Sequence, residues 1–226
     1  MAYQLEIACF NLESAILAAK AGADRIELCD EIKAGGTTPD FETVKEARRK
    51  ISTPIFVMIR PRGGNFTYSE AEFETMKNQI MGFKALGIDG FVFGILKPDN
   101  SIDIKKNSEL VKLTSPLPCT FHRAFDRTND CLRSLEQAIE CGFKTILTSG
   151  LKDNVNDGSD NLKALVIKAG KRIVIMPGGG LRSMNMSEIM RKTKAKFYHS
   201  SAITNNSEIA DSKEIIALKN CLLKNE

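Results

Sequence analysis

At 226 residues, with a formal net charge of +4 and a pI of about 8.7, the chain is too weakly basic to read as a nucleic-acid binder. Hydrophobic residues make up 42% and charged residues 27%, which excludes a disordered tail or a membrane-embedded chain and fits a globular protein that buries a full core. No apolar run approaches the ~20 residues that span a bilayer, and no basic stretch leads into an apolar leader. The six cysteines form no CxxC pair, so reduced thiols and a cytoplasmic location are expected.

Along the chain, short β-branched runs alternate with longer amphipathic stretches. Strands are predicted at 5–10, 25–29, 55–60, 90–96, 119–123, 145–149, 173–176 and 197–201. Helices are predicted between and after them, at 12–21, 41–51, 69–86, 104–113, 131–141, 162–169, 186–191 and 212–223. The first shows an apolar stripe at Leu12, Ala15, Ile16 and Ala19, spaced for one helix face. The third opens on Ser69 and Glu72, the spacing of a capping box. The basic run at 45–50 lies on the second helix as a solvated face. Gly22, Gly87, Gly142 and Gly170 follow helices and precede strands, as left-handed C-terminal caps do.

Eight strand–helix units with short connections predict parallel strands closed into a single-domain (β/α)8 TIM barrel over residues 1–226. An open doubly wound sheet is the rival fold. It would carry a Gly-rich turn after the first strand, where this chain has Asn11 and a helix. The polar loop at 153–160 is expected to move.

Barrels of this kind bind ligands at the C-terminal ends of their strands, and that rule sorts the polar residues. Glu6 and Glu27 lie within the first two strands. Helices cover the outside of a parallel barrel, so these carboxylates are expected to point inward and to need partners. Candidate partners are Arg60 and Arg62 around the third strand's end, and His122 and Arg123, with Asp126, after the fifth. Arginine pairs suit a carboxylate or phosphate, whereas a Glu–Arg network alone would merely balance charge. Gly178, Gly179 and Gly180 follow the seventh strand. His199, Ser200 and Ser201 end the eighth. Backbone N–H groups and hydroxyls there suit an anion such as phosphate. His122 and His199 are candidate general acids or bases. Cys9 and Cys29 end adjacent strands and could hold Cu(I), or could be small core residues. The thiols meet only if the first strand ends or bulges before Cys9, because Glu6 and Cys9 otherwise face opposite ways. No organic cofactor, zinc spacing or calcium loop is evident.

The phrases ADRIELC (23–29), GGTTP (35–39), MIRPRGG with a following F-x-YS (58–69), TFHRAFD (120–126), LTSG (147–150), MPGGG (176–180) and HSSA (199–202) resemble the copper homeostasis protein CutC family. The resemblance runs from the first predicted strand to the eighth. It implies a cytoplasmic barrel, a homo-oligomer (dimer or tetramer), and copper bound through Cys9 and Cys29. Asn65 stands where the family commonly has Asp, and an amide cannot act as a base. Two functions follow as expectations: a copper-binding protein, or an enzyme acting on a small phosphorylated or carboxylated metabolite. In the second, Glu6, Glu27 or His122 would move protons and Arg60 and Arg123 would orient the anion. Neither involves nucleic acid or a membrane.

Overall fold

The computed structural model describes residues 3–205 and 207–224. Eight parallel strands form a nearly closed barrel in the order β7-β6-β5-β4-β3-β2-β1-β8. They are β1 (Gln4–Cys9), β2 (Arg25–Leu28), β3 (Ile55–Met58), β4 (Gly90–Phe93), β5 (Cys119–Phe121), β6 (Thr145–Thr148), β7 (Val174–Pro177) and β8 (Phe197–Ser200). The seam lies between β7 and β8, which run side by side without a ladder.

The helices are α1 (Leu12–Lys20), α2 (Phe41–Lys50), α3 (Glu70–Lys84), α4 (Ile104–Thr114), α5 (Cys131–Cys141), α6 (Ser159–Ala169), α7 (Ser183–Thr193) and α8 (Ser212–Leu223). Local chemistry sets their ends. The N–H of Glu72 donates to Ser69 Oγ and the N–H of Ser69 to the Glu72 carboxylate, which completes the capping box. Asn11, Asp40, Asp103, Asp130 and Asp211 cap five other helices through their side-chain oxygens. The four helix-ending glycines all have positive φ, though Gly170 leaves the left-handed helical region in ψ.

Two short 3-10 turns, Ile32–Ala34 and Arg123–Arg127, were not legible as periodic patterns. Each is too short to repeat, and each is fixed by contacts to other strand ends. The loop at 153–160 is tied down rather than loose: Val155 is buried and its N–H donates to Gly179 O. Gly158 packs so closely that a Cβ would stand 1.7 Å from Ser149 O.

Strand parity divides the side chains. Leu5, Ile7, Ile26, Leu28, Ile55 and Val57 face the helices and build the outer core. Glu6, Arg25, Glu27, Phe56, Met58 and His199 fill the lumen. Among the described residues, no helix is long and apolar enough to cross a membrane.

Candidate functional site

Register brings the lumen charges together. Glu6 sits opposite Arg25 on β2 and opposite His199 on β8. Arg25 Nε donates to Glu6 Oε2 at 2.5 Å. The Arg25 guanidinium lies between two aromatic faces, 4.0 Å from the Phe56 centroid and 4.3 Å from that of Phe197. His199 Nδ1 is 2.7 Å from Glu6 Oε1, and its Nε2 is 3.9 Å from Glu27 Oε2. All four side chains are buried.

Their acidities diverge for physical reasons. Burial alone would raise the Glu6 carboxyl, but Arg25 and His199 outweigh it and hold Glu6 below the usual range. Burial raises Glu27 to about 7, against the opposing pull of His199, whose Nε2 is 3.9 Å away. His199 is also raised: burial opposes its charge, but the Glu27 and Glu6 carboxylates prevail. Burial, helped by nearby Arg60, pushes His122 down to about 3 and keeps it neutral.

A cavity of about 260 Å³ opens above this network at the C-terminal strand ends. Glu27, His122, Arg123, Gly179, Gly180 and Ser201 are on its wall. Gly179 and Gly180 have φ of +102° and +72°. Among the described residues, neither donates its N–H to a protein acceptor. The Arg123 guanidinium lies directly on Gly179, where a Cβ would stand 3.0 Å from Cζ. Arg123 is aimed by Asp126 through a 2.8 Å bond to its Nε. This is the arrangement of an anion cradle: free N–H groups, a hydroxyl and a guanidinium on one wall.

Several candidates have other work. The expected Glu–arginine pairing does not involve Arg60, Arg62 or Arg123. Arg60 donates to the carbonyls of Ala34, Gly36 and Gly64, clasping two loops. Arg62 pairs with Glu72 on α3, outside the cavity. The Asp126 carboxylate accepts from Thr148 Oγ1, from the N–H groups of Ser149 and Leu151, and from Arg123. It is saturated and organises the loop after β6. Ser200 Oγ donates to Leu181 O and accepts from Ala202 N–H and Arg182. Gly178 fits between Leu147 and His199, where a Cβ would stand 2.4 Å from Leu147 Cδ1. Asn65 Oδ1 accepts from Arg62 and from Thr67 N–H, bonds that a carboxylate could equally accept.

The condition for a thiol pair is not met. β1 runs in regular register through Cys9, which pairs with Leu28 and follows Leu5 and Ile7 to the outer face. Cys29 follows Glu27 inward, and its thiol donates to Glu27 at 3.6 Å. Burial, then the Glu27 charge, raises the pKa of both thiols well above its ordinary value. Copper held between Cys9 and Cys29 therefore does not fit this strand geometry. Among the described residues, Glu6, Glu27 and His199 are the group whose ligand atoms converge, within 4.8 Å of one another. Arg25 already neutralises Glu6 there, so a cation would compete with a guanidinium in contact.

Sequence reading does not single out Arg25 or Arg182. Period-2 parity could have found Arg25, two residues before Glu27 and on its face. Arg182 stands two residues after the glycine run and ties the loops after β7 and β8, donating to Leu181 O and Ile203 O.

Comparison with known proteins agrees with the resemblance in the motifs. The CutC family model matches residues 3–204. A human protein named copper homeostasis protein cutC homolog is 42% identical over 200 residues, covering 88% of this chain and 73% of its own. Its mouse counterpart is 43% identical over 200 residues, covering 88% and 74%. A crystal structure of the copper homeostasis protein CutC from Streptococcus agalactiae superposes with a TM-score of 0.83 at 37% identity, covering 89% of this chain and all of that one. The chain belongs to the CutC family.

Proposed function

We propose that this barrel is an enzyme that binds a small phosphorylated or carboxylated metabolite and moves protons on it. The observation that carries the reading is the shared wall of one cavity. Free N–H groups of Gly179 and Gly180 and the Arg123 guanidinium meet there with Glu27, a carboxyl whose acidity is shifted to about 7. A carboxyl that titrates near the working pH suits general acid–base catalysis. The anion would rest on Gly179, Gly180, Ser201 and Arg123, while His199, held by Glu6, faces Glu27. Asp126 and Arg60 act by positioning.

Inorganic phosphate is the first probe. At 100 times its Kd it should raise the unfolding free energy by about 2.7 kcal/mol, read as a concentration-dependent rise in Tm. Gly179→Ala should weaken that binding roughly tenfold or more, because its methyl displaces Arg123 and strains a positive φ. No stabilisation by phosphate, or by a dicarboxylate such as malonate, would remove the anion site.

Copper binding is a second reading, favoured by the names of the relatives and by the Cys29 thiol on the cavity wall. A competition titration of Cu(I) against a strong chelator should separate the thiols. Strand parity predicts that Cys9→Ser leaves any tight binding intact and that Cys29→Ser removes it. Loss in both variants would restore a two-thiolate site. The reading extends to a cytoplasmic location, which the six free cysteines support, and to a homo-oligomer, implied by the family resemblance and checked by light scattering.

A further inference from the structure

Among the described residues, three of the cavity wall carry a buried, unpartnered polar atom: Arg60 Nε, in a guanidinium whose other nitrogens already bind three carbonyls, and Glu27 Oε1 and His122 Nε2, whose hydrogen-bonding characters are opposite. Glu27 Oε1 and His122 Nε2 find no partner among the described residues, and each residue is only 3% exposed. The proton on His122 can be located. Ala124 N–H donates to Nδ1 at 3.3 Å, so Nδ1 is the acceptor and the neutral ring carries its hydrogen on Nε2. Gly94 permits this placement, since a Cβ there would stand 2.8 Å from His122 Nδ1. The cavity therefore presents a carboxylate oxygen and a neutral N–H donor, each desolvated with no partner among the described residues.

We propose that the cavity takes a small anionic aldehyde or ketone and moves a proton at the carbon beside its carbonyl, with Glu27 as the base and His122 Nε2–H bound to the carbonyl oxygen. This rests on reading the cavity as an anion site. In the forward step, Glu27 takes the proton from the C–H bond. The bonding pair becomes the new C=C bond, and the carbonyl π pair moves onto oxygen. The enolate oxygen accepts a stronger hydrogen bond from His122. Where the carbon that lost its proton bears a hydroxyl, that hydroxyl's proton passes to the enolate oxygen, its O–H pair becomes the new C=O bond, and the C=C pair takes the proton back from Glu27 at the former carbonyl carbon, which gives the isomer. Atoms and electrons balance without an added oxidant or reductant.

The surroundings favour this step over acyl transfer. Ser200 Oγ is tied on both sides, and burial raises the Cys29 pKa well above its ordinary value, which leaves its thiol protonated and a weak nucleophile. A neutral imidazole suits the carbonyl better than an imidazolium, because it polarises oxygen without giving up its proton. The low acidity range of His122 and the near-neutral range of Glu27 agree with these roles. A cavity of about 260 Å³ suits a compound of a few carbons.

Enolisation can be read without knowing the final product. The whole protein would be incubated in D2O with glyceraldehyde 3-phosphate or ribose 5-phosphate, and deuterium uptake beside the carbonyl followed by NMR. Uptake should exceed the protein-free rate by roughly 100-fold or more, vanish in Glu27→Gln, and fall at least about tenfold in His122→Ala. His122→Gln, which keeps an N–H donor, should recover part of it, and melting curves would verify that each variant folds. Phosphoglycolohydroxamate, an enediolate mimic, should bind at least about tenfold tighter than inorganic phosphate, and His122→Ala should erase that margin. Phosphate binding with neither exchange nor a hydroxamate margin overturns this inference and leaves the anion site standing. Absence of phosphate binding overturns both.

Discussion

Replacing Arg25 with Met should lower the unfolding free energy by about 3–5 kcal/mol at pH 7, the loss expected when one partner of a buried ion pair is removed. Glu6 is fully buried, and Arg25 is its closest cation. Without Arg25, the carboxylate keeps His199 and little else. Methionine fills much of the space between Phe56 and Phe197 but cannot reproduce the stacked charge. Glu6→Gln added to Arg25→Met should recover much of the loss, because no charge is then stranded. Arg25 and His199 lower the Glu6 pKa against the pull of burial, so the ionised form stabilises the fold above the ordinary value of 4.5. That stability disappears as pH falls through the folded value, and the deficit of Arg25→Met should shrink in acid. Urea unfolding of the three proteins at pH 7 and in acid measures this. A single-variant loss below about 1 kcal/mol would show that the pair is balanced by other contacts.

Glu27→Gln should do the reverse and stabilise the protein at pH 8, by up to about 3 kcal/mol. Burial raises Glu27 from 4.5 to about 7 in the folded protein. Between those pH values the folded chain holds a proton that the unfolded chain has released. Wild-type stability from this group is therefore complete below about 4.5 and declines as pH rises through about 7. A neutral amide escapes that decline. The advantage of Glu27→Gln should be small at pH 4.5, grow across the window, and level off above it. Thermal or urea unfolding across pH 4.5–8.5 would trace the curve, and a pH-independent difference would mean that Glu27 keeps an ordinary acidity. A residue that weakens the fold while facing a cavity fits a role in chemistry, since stability is often lost at functional sites.

The two predictions turn on contacts with unequal signals in the chain. That Glu6 and Glu27 point inward follows from strand position alone: a parallel barrel has helices outside and no solvent face for a mid-strand carboxylate. That Arg25 answers Glu6, and Arg60 does not, follows from register. Arg25 is Glu6's neighbour across the β1–β2 ladder, while Arg60 is drawn to carbonyls of the loops it clasps. The thiols show the same division. Parity already placed Cys9 and Glu6 on opposite faces of a regular strand, and only the ladder could exclude a bulge.

The sequence by itself determined the eight alternating units, the capping box at Ser69, the glycines that end four helices, and the closure into a barrel. These are readable because hydrophobic period, capping side chains and turn glycines act within a few residues of one another. The tertiary structure alone decided which polar atoms are satisfied and which are left over. His199 meets Glu6 across 193 residues of chain, and Arg123 meets Ser149 across 26. Such meetings depend on how strands distant in sequence register around the lumen. The orphaned Glu27 Oε1 and His122 Nε2 were therefore invisible until every other partner had been assigned.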